Sequence, residues 1–327
     1  MYQAWCVALQ SRKSKQGSAL LLLLTMTLLL AISDGHAASS VKSKLAEKSL
    51  LLDVVCTDSP VVTVGERGHI LRSEDSGKSW QQAEVPTRAM LTGVFFQNTL
   101  LGWAVGHDQI ILRTRDAGKN WQQVFSAPEE ESPLLDVWFA DAEHGYAIGA
   151  YGRFLETRDG GETWEARWIS EDDYHLNKMF AVGSSLFIAA EAGNVYRSDN
   201  GGEDWLTLST PYEGSFFGGL ALSETRLLVF GLRGNLYKSD DLGETWSTIS
   251  SSTESSLNSG LLLSNGKIII AGLAGSLLLS SDNATTFTFE QLADRQGLAA
   301  LCQTGDGNII AVGESGVTSL SAEMPGL

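Results

Sequence analysis

Six short stretches of the sequence place an acid or amide two residues before a glycine or alanine and end in an aromatic residue. One of them, "TRDGGETW" from Thr157 to Trp164, combines hydroxyls, carboxylates and an indole. A loop of this composition could bind a sugar or carry an acid catalyst. The third position of the stretch is occupied in turn by Asp75, Asp116, Asp159, Asn200, Asp241 and Asp282. Whether these residues do chemistry depends on why the stretch recurs.

The spacing of the stretches indicates a structural repeat. Their last residues are Trp80, Trp121, Trp164, Trp205, Trp246 and Phe287, separated by 41, 43, 41, 41 and 41 residues. This is the period of a four-stranded propeller blade. In the second unit, "LTGVFFQ", "GWAVG", "IILRT" and "WQQVF" predict strands A to D, with a tight turn between B and C. Short strands at this density exclude a parallel α/β fold.

A seventh unit begins at Leu298. It has strands A, B and C, but the sequence stops before another copy of the repeated stretch. Because an unpaired strand edge invites aggregation, we expect residues 38–46 to pair with this unit as its outer strand. The sequence therefore predicts an all-β fold, a seven-bladed β-propeller of four-stranded blades closed by the N-terminal strand. One domain is expected over residues 38–327.

The two cysteines of this domain, Cys56 and Cys302, are predicted to end strand A of the first and seventh blades. Matching positions of neighbouring A strands should lie about 6 to 7 Å apart, at the upper edge of disulfide reach. Two alternatives stay open, a disulfide across the closure and two buried free thiols. Two thiols predict neither a disulfide framework nor a structural zinc site.

Residues 1–37 have the composition of an export signal, with a basic stretch, the apolar run "ALLLLLTMTLLLAI" and a small-residue site at "GHAA". We expect cleavage after Ala37, a periplasmic location and no membrane insertion afterwards; an uncleaved anchor is the alternative. Residues 38–327 hold 20 basic and 38 acidic side chains. A chain this acidic repels phosphate backbones, which excludes nucleic acid as a partner and leaves basic partners or plain solubility.

Each residue of the repeated stretch has a structural task that needs no substrate. The acid or amide can accept backbone N–H bonds inside its own turn, and the glycine can adopt a positive φ. The aromatic residue starts strand D with a large ring to bury. The pattern S/T-x-D/N-x-G-x-x-W resembles the Asp-box of bacterial neuraminidase repeats.

The compact units resemble the photosystem II assembly and stability factor family, through "AVGHDQIILRTRDAGKNW" and "AIGAYGRFLETRDGGETW", over about Leu50 to Leu320. The resemblance implies a lumenal or periplasmic propeller that assists a membrane complex without catalysis, partly through a basic patch. It also implies relatives that accompany membrane transport systems. This chain departs by its acidity and by the absence of a lipid-attachment cysteine. We expect a monomeric, non-catalytic assembly factor without a cofactor.

Asp-boxes also occur in sialidases, so a sialidase-like glycoside hydrolase or a carbohydrate-binding propeller is the alternative. Such an enzyme needs three convergent arginines, a tyrosine paired with a glutamate, and an acid. The sequence has no Arg-Ile-Pro tripeptide, and its units differ in length by two residues. Basic residues recur before the box at Arg72, Arg113, Arg197 and Lys238, which predicts a solvated stripe. The scattered histidines, among them His69, His107, His144 and His175, predict no metal site.

Strand direction places the D-to-A connections and the B-to-C turns on one face of the ring and the boxes on the other. Two connections are strongly acidic, and we expect a partner to bind at Glu129, Glu130, Glu131, Tyr151, Glu171, Asp172, Asp173 and Tyr174. The turns add Glu66, Asp108, Glu191, Arg233 and Glu314. The expected partner is a basic exported segment of a membrane or envelope protein. Ordinary solvated loops are the alternative.

Overall fold

The computed structural model describes residues 38–320, and the export signal predicted for residues 1–37 lies outside this range. Within it, seven antiparallel sheets follow one another along the chain. Strand A of each sheet contacts strand A of the next, and strand A of the last sheet contacts that of the first. The sheets therefore close into a ring, and the predicted seven-bladed β-propeller is confirmed.

Each of the first six blades has four strands. Blade one contains β1 (Leu51–Cys56), β2 (Val61–Gly65), β3 (Ile70–Ser73) and β4 (Gln81–Gln82). Blade two contains β5 (Leu91–Phe96), β6 (Gly102–Gly106), β7 (Ile111–Thr114) and β8 (Gln122–Phe125). Blade three contains β9 (Leu134–Phe139), β10 (Gly145–Gly149), β11 (Phe154–Thr157) and β12 (Glu165–Arg167). Blade four contains β13 (Leu176–Val182), β14 (Ser185–Ala190), β15 (Val195–Ser198) and β16 (Leu206–Leu208).

The remaining blades follow the same order. Blade five contains β17 (Phe216–Ala221), β18 (Leu227–Gly231), β19 (Leu236–Ser239) and β20 (Ser247–Thr248). Blade six contains β21 (Leu257–Leu262), β22 (Ile268–Gly272), β23 (Ser276–Ser280) and β24 (Thr288–Gln291). Blade seven contains β25 (Leu298–Gln303), β26 (Ile309–Gly313) and β27 (Gly316–Leu320). Short 3-10 helices span Ala46–Lys48, Glu66–Gly68, His107–Gln109, Pro128–Glu130, Leu232–Gly234 and Leu273–Gly275.

The core lies between neighbouring blades. Strand B of every blade is buried along its whole length, since a blade packs on each of its faces; β22, "IIIAG", is such a continuous apolar run. Seven apolar clusters fill the spaces between the described blades, and six of them include the box aromatic of one blade in the pair. Between blades two and three, Trp103 stacks on Phe139 with ring centroids 3.5 Å apart, and Trp164 meets Phe139 edge-on.

Every strand A carries an irregularity in its pairing with strand B at its second residue. Such a bulge leaves the extra residue outside the hydrogen-bonded ladder. The seven bulge residues are Leu52, Thr92, Leu135, Asn177, Phe217, Asn258 and Ala299. All of them line one cavity, at the end of the central channel where the A strands begin.

Residues 38–46 differ from the expectation for an outer strand of blade seven, which has three strands in the described range. Instead, the Ser40 N–H donates to the Val85 carbonyl at 2.8 Å, and the Ser43 N–H donates to Gln82 Oε1 at 2.8 Å, both on blade one. The 3-10 helix Ala46–Lys48 then lies against β27. The segment thus joins the first and last blades without strand pairing, because its backbone N–H groups donate to the Val85 carbonyl and to the Gln82 side chain.

A disulfide joins Cys56 to Cys302, with Cα atoms 5.6 Å apart, which decides between the two alternatives left by the sequence. The expectation of matching positions is wrong by one residue. Leu51 and Leu298 are equivalent, since each pairs with the last glycine of its strand B, so Cys56 is the sixth residue of its strand and Cys302 the fifth. Side chains alternate between the two faces of a strand. Residues that meet across two blades therefore come from positions of opposite parity.

Candidate functional site

The ring has two faces with different contents. Every strand A starts at the face that holds the D-to-A connections and the B-to-C turns, which we call the turn face. It runs toward the face that holds the Asp-boxes, which we call the box face. This follows from the antiparallel order A, B, C, D shared by blades one to six. The box residues and the acidic loops singled out in the sequence are therefore at opposite ends of the blades.

Each box folds its polar side chains into its own loop. In blade three, the Thr157 hydroxyl donates to Asp159 Oδ1 at 2.9 Å and accepts from the Gly161 N–H at 2.9 Å. The Asp159 carboxylate accepts from the Thr163 N–H at 2.9 Å and from the Thr163 hydroxyl at 2.7 Å. In the other boxes, a backbone N–H likewise donates to the hydroxyl of the first residue. The donors are the N–H groups of Gly77, Gly118, Gly202, Gly243 and Ala284. The box side chains are thus occupied as turn braces.

The hydrogen bonds also fix the charge of the box carboxylates. Bonds from the backbone and side chain of Thr163 lower the pKa of Asp159 to about 2, and those from Ser79 lower the pKa of Asp75 to about 2. Hydrogen bonds to Thr245 and Thr286 likewise lower the pKa of Asp241 and of Asp282. A general acid must hold a proton at the working pH. These carboxylates are ionised at neutral pH and do not suit that role.

The basic residues before the boxes do not form the predicted solvated stripe. Arg72 and Arg113 are only 7% and 6% exposed. The Arg72 Nε donates to the Ala117 carbonyl at 2.9 Å, and the Arg113 Nη1 donates to the Gly160 carbonyl at 2.9 Å. Each arginine thus holds the box loop of the following blade. The prediction failed because the partner carbonyls lie 45 and 47 residues away along the chain.

Blade three replaces this arginine with Glu156, which is 6% exposed. Its carboxylate accepts from Arg167 at 2.6 Å and contacts Arg158 at 2.6 Å and His144 at 2.9 Å. The neighbouring Tyr146 hydroxyl donates to the Gly201 carbonyl of the next box. This cluster was not anticipated from the sequence.

The cluster contains the residue types of a sialidase site, but its geometry does not favour that chemistry. Burial, aided by the negative charge of Glu156, raises the pKa of Tyr146 to about 12. The hydroxyl is therefore protonated at neutral pH and is engaged with a backbone carbonyl. Tyr146 is also only 1% exposed. A buried, protonated tyrosine is a poor nucleophile, whereas it serves well to join blades three and four.

On the turn face, the structure brings the two predicted acidic loops to the same blade-three turn. The Ala150 N–H donates to the Pro133 carbonyl at 2.9 Å, and the Gly152 N–H donates to the Tyr174 carbonyl at 2.9 Å. These bonds fix the loop of residues 126–133 on one side of the turn and the loop of residues 168–175 on the other. The exposed acids of the two loops are Glu129, Glu130, Glu131, Glu171, Asp172 and Asp173. We name the two loops and the turn between them the acidic clamp.

Aromatic side chains lie among these acids. Tyr151, at the tip of the turn, is 56% exposed, and its ring centroid is 4.9 Å from that of His175. His175 Nδ1 in turn lies 2.8 Å from a carboxylate oxygen of Glu191. Trp168, at the start of the second loop, is 73% exposed. Sequence reasoning missed Trp168, although a tryptophan outside the box position was a visible signal. The acidic clamp therefore combines negative charge with aromatic surface.

Gln109 explains how the first loop is held. It adopts a positive φ of 47° at the turn position where other blades place glycine, and it is fully buried. Its Nε2 donates to Ser132 Oγ at 2.6 Å, and its Oε1 accepts from Arg153 Nε at 2.9 Å. A non-glycine residue in this conformation costs about 1 to 3 kcal/mol. The two hydrogen bonds offset this strain and attach the loop to blades two and three.

Two other acids of the turns adjoin the clamp, since the Asp108 carbonyl accepts from the Ala127 N–H at 3.0 Å and Glu191 contacts His175. The other turn acids lie in other sectors. Glu66 and Glu314 belong to the closing blades, and Glu314 accepts from the Gly297 N–H at 2.8 Å. Arg233 adds a positive charge on blade five. Among residues 38–320, no group of three or more histidine, cysteine or acidic side chains is placed to hold a metal ion. In the same range, no helix has the length and apolar character to cross a membrane.

A closed ring of antiparallel blades with an Asp-box in six of them defines an Asp-box β-propeller. A family model described as Photosynthesis system II assembly factor YCF48 matches residues 36–129 and 126–262. The chain belongs to this family, as the resemblance predicted.

Solved structures agree with this fold. "YCF48 bound to D1 peptide" superimposes with a TM-score of 0.69 at 18% identity, covering 86% of this chain and 97% of that one. "YCF48 from Cyanidioschyzon merolae" gives 0.69 at 17% identity, with coverages of 86% and 98%. The WD40 propeller domain of Doa1 gives 0.68 at 14% identity, with coverages of 88% and 97%. At such identities the likeness shows the fold alone. No curated protein matches the sequence.

Proposed function

We propose that this protein is a non-catalytic, exported propeller that binds a basic segment of a membrane or envelope protein and assists the assembly or stability of that complex. The acidic clamp is the observation that carries the proposal. Membership of the YCF48 family supports it, and one solved relative is described as bound to a D1 peptide. The partner is a periplasmic segment, either of a photosystem or of a membrane transporter.

The charge balance of the clamp favours a basic partner. Within the described residues, the one lysine or arginine that pairs with these six exposed acids is Arg153 of the blade-three turn, 3.9 Å from Glu130. Unpaired surface charge steers an oppositely charged segment and raises its association rate. The exposed rings of Tyr151 and Trp168 add faces on which lysine or arginine groups can stack. Binding should therefore weaken as salt is added.

Charge reversal tests the proposal. Glu129→Lys, Glu130→Lys and Glu131→Lys are combined in one variant, and Glu171→Lys, Asp172→Lys and Asp173→Lys in another. We expect each to abolish co-purification with the envelope partner identified by crosslinking and mass spectrometry. A matched variant with Glu143→Lys, Glu165→Lys and Glu224→Lys makes the same change in charge away from the clamp and should retain the partner. Recovery of the partner by the clamp variants at low salt would refute the proposal.

A further inference from the structure

A cavity of about 310 Å³ lies at the turn-face end of the central channel. It is lined by the bulge residues of all seven A strands, and their character alternates from blade one to blade seven. The bulge residues of blades one, three, five and seven are apolar: Leu52, Leu135, Phe217 and Ala299. Those of blades two, four and six are polar: Thr92, Asn177 and Asn258. The cavity therefore has both apolar walls and hydrogen-bonding groups.

The polar bulge residues also hold the ring together. The Thr92 hydroxyl donates to the Leu134 carbonyl at 2.6 Å, Asn177 Nδ2 to the Phe216 carbonyl at 2.8 Å, and Asn258 Nδ2 to the Leu298 carbonyl at 2.9 Å. Each bond reaches the first residue of the next strand A. An amide carries a second N–H and an acceptor oxygen besides the N–H used here. Asn177 and Asn258 are thus rigidly placed and retain groups for a ligand.

Two charged residues of strands A, Asp53 and Lys178, line this cavity, and a third, Asp136, contacts Lys178. Lys178 Nζ of blade four lies 2.8 Å from Asp136 of blade three and 3.8 Å from Asp53 of blade one, across the channel. Burial by itself would lower the pKa of Lys178, but the Asp136 and Asp53 carboxylates raise it overall. One ammonium faces two carboxylates, and Asp136 is its closer partner. The Asp53 carboxylate accepts from the Val54 N–H at 2.9 Å and from the Val94 N–H at 3.0 Å, and its ionic contact with Lys178 is the weaker of the two.

The acidic clamp leads directly into this cavity. Pro133, which anchors its first loop, precedes the cavity residue Leu135 by two positions. His175, at the end of the second loop, precedes the cavity residue Asn177 by two positions. Two extended residues span at most about 7 Å. The inner end of each clamp loop therefore lies within about 7 Å of a residue that lines the channel mouth.

We propose that this cavity receives one lysine or arginine side chain of the bound segment. The inference rests on the proposed function and names the anchor of that same site. The aliphatic stem packs on Leu135 and Phe217, and the aromatic face of Phe217 favours a cation beside it. The cationic head lies toward the Asp53 carboxylate, with Asn177 and Asn258 as hydrogen-bond acceptors. A cavity of this size suits one long side chain.

The test compares two probes, tri-arginine amide and its neutral analogue tri-citrulline amide, by calorimetric titration into the full chain at low salt. Two variants change the cavity and leave the loops intact. Asp53→Asn removes the charge and keeps the shape and one of the two backbone hydrogen bonds of Asp53, and Ala299→Phe fills the mouth. We expect Asp53→Asn to weaken tri-arginine binding about tenfold, as for other close charge pairs, and Ala299→Phe to weaken it by excluding the side chain from the cavity. Circular dichroism and thermal unfolding establish that both variants fold.

The outcomes separate the cavity from the clamp. Weaker binding by both cavity variants supports the cavity as the anchor site, whatever the clamp variants do. Unchanged binding by Asp53→Asn and Ala299→Phe, with binding lost on reversal of Glu129 to Glu131, overturns the anchor and leaves the proposed function standing. Loss in the cavity variants alone places the cation in the channel and overturns the clamp as its docking surface. Equal affinity for the two probes overturns the anchor outright.

Discussion

The box face and the turn face are made by the same blades, yet they differ in how much of their chemistry is repeated. On the box face, each of the six boxes ties a backbone N–H to a serine or threonine hydroxyl at 2.8 to 3.1 Å. On the turn face, the connections between blades differ in sequence and charge. Repetition in six of the seven blades indicates a structural requirement, whereas a feature confined to one sector indicates function.

The two faces also differ in how their charges are used. The box face buries Arg72, Arg113 and Glu156, and each has partners on a neighbouring blade or strand. The acids of the clamp are exposed and make few contacts with the rest of the protein. Buried polar groups that lose a partner cost far more than exposed ones. Substitutions on the box face should therefore lower stability, and those on the clamp should change binding instead.

The largest effect is expected inside one box, where two adjacent glycines differ in surroundings. Gly202 has a φ of 92°, and a Cβ there would overlap the hydroxyl and ring of the buried Tyr146. Gly201 has a φ of 72° and open space around it. We expect Gly202→Ala to lower the free energy of unfolding by about 3 kcal/mol, from overpacking and a strained backbone. Gly201→Ala should cost about 1 kcal/mol, from the backbone alone.

Urea unfolding of the two variants measures this difference directly. Because the substitutions are the same and adjacent, effects on the unfolded chain largely cancel. Equal losses at Gly201 and Gly202 would mean that Tyr146 can move. The contact between blades three and four would then be looser than the structure shows.

A smaller loss is expected when a box hydroxyl is removed. Thr157→Val keeps the shape of a side chain that is 2% exposed but leaves the Gly161 N–H without its acceptor. An unsatisfied buried donor costs about 1 to 3 kcal/mol, so we expect a loss near 2 kcal/mol by urea unfolding. The matched control is Thr225→Val at an exposed position, where a change within about 0.5 kcal/mol is expected. Similar losses at both positions would contradict the bracing role.

The box carboxylates should make stability depend on pH in acid. The pKa of Asp159 is about 2 in the folded protein, against an ordinary value of 3.8. Since folding lowers this pKa, its contribution is complete above about pH 4 and disappears as the pH falls toward 2. Asp159→Asn should unfold at lower urea than the unsubstituted protein at pH 6, and the difference should shrink between pH 4 and pH 2. A constant difference would show that the ionised form is not what the loop stabilises.

The sequence predicted the fold because one blade period repeats six times, with box, turn and strand at fixed positions. It did not predict contacts between blades. Arg72 donates to a carbonyl 45 residues away. Cys56 is bonded to a cysteine 246 residues away, which stands one position earlier in its strand A than Cys56 does in its own. A repeat gives the position of each residue within its blade, but the packing of one blade face on the next decides its partner. For the same reason the sequence did not predict the cluster around Glu156.

The candidate site was predicted in part. Strand direction alone assigned both acidic loops to the turn face, but not their attachment to one turn through Ala150 and Gly152. The bulge in every strand A, which turns Leu135 and Asn177 toward the channel, has no sequence signal of its own. Its residues range from alanine to phenylalanine, and no residue type marks the position. Backbone irregularities of this kind become visible only when strand pairing is known.

The smallest effect on stability is expected at the clamp, and it is the strictest test of the contrast between the faces. Reversing Glu129, Glu130 and Glu131 removes exposed carboxylates whose one cationic neighbour, within the described residues, is Arg153 at 3.9 Å from Glu130. Exposed pairs contribute about 0.2 to 1 kcal/mol, so the unfolding free energy should change by less than about 1 kcal/mol. Urea unfolding at 0.15 M salt measures it. A loss as large as that of Thr157→Val would mean that these acids hold the loop in place, and loss of partner binding could then no longer be assigned to charge.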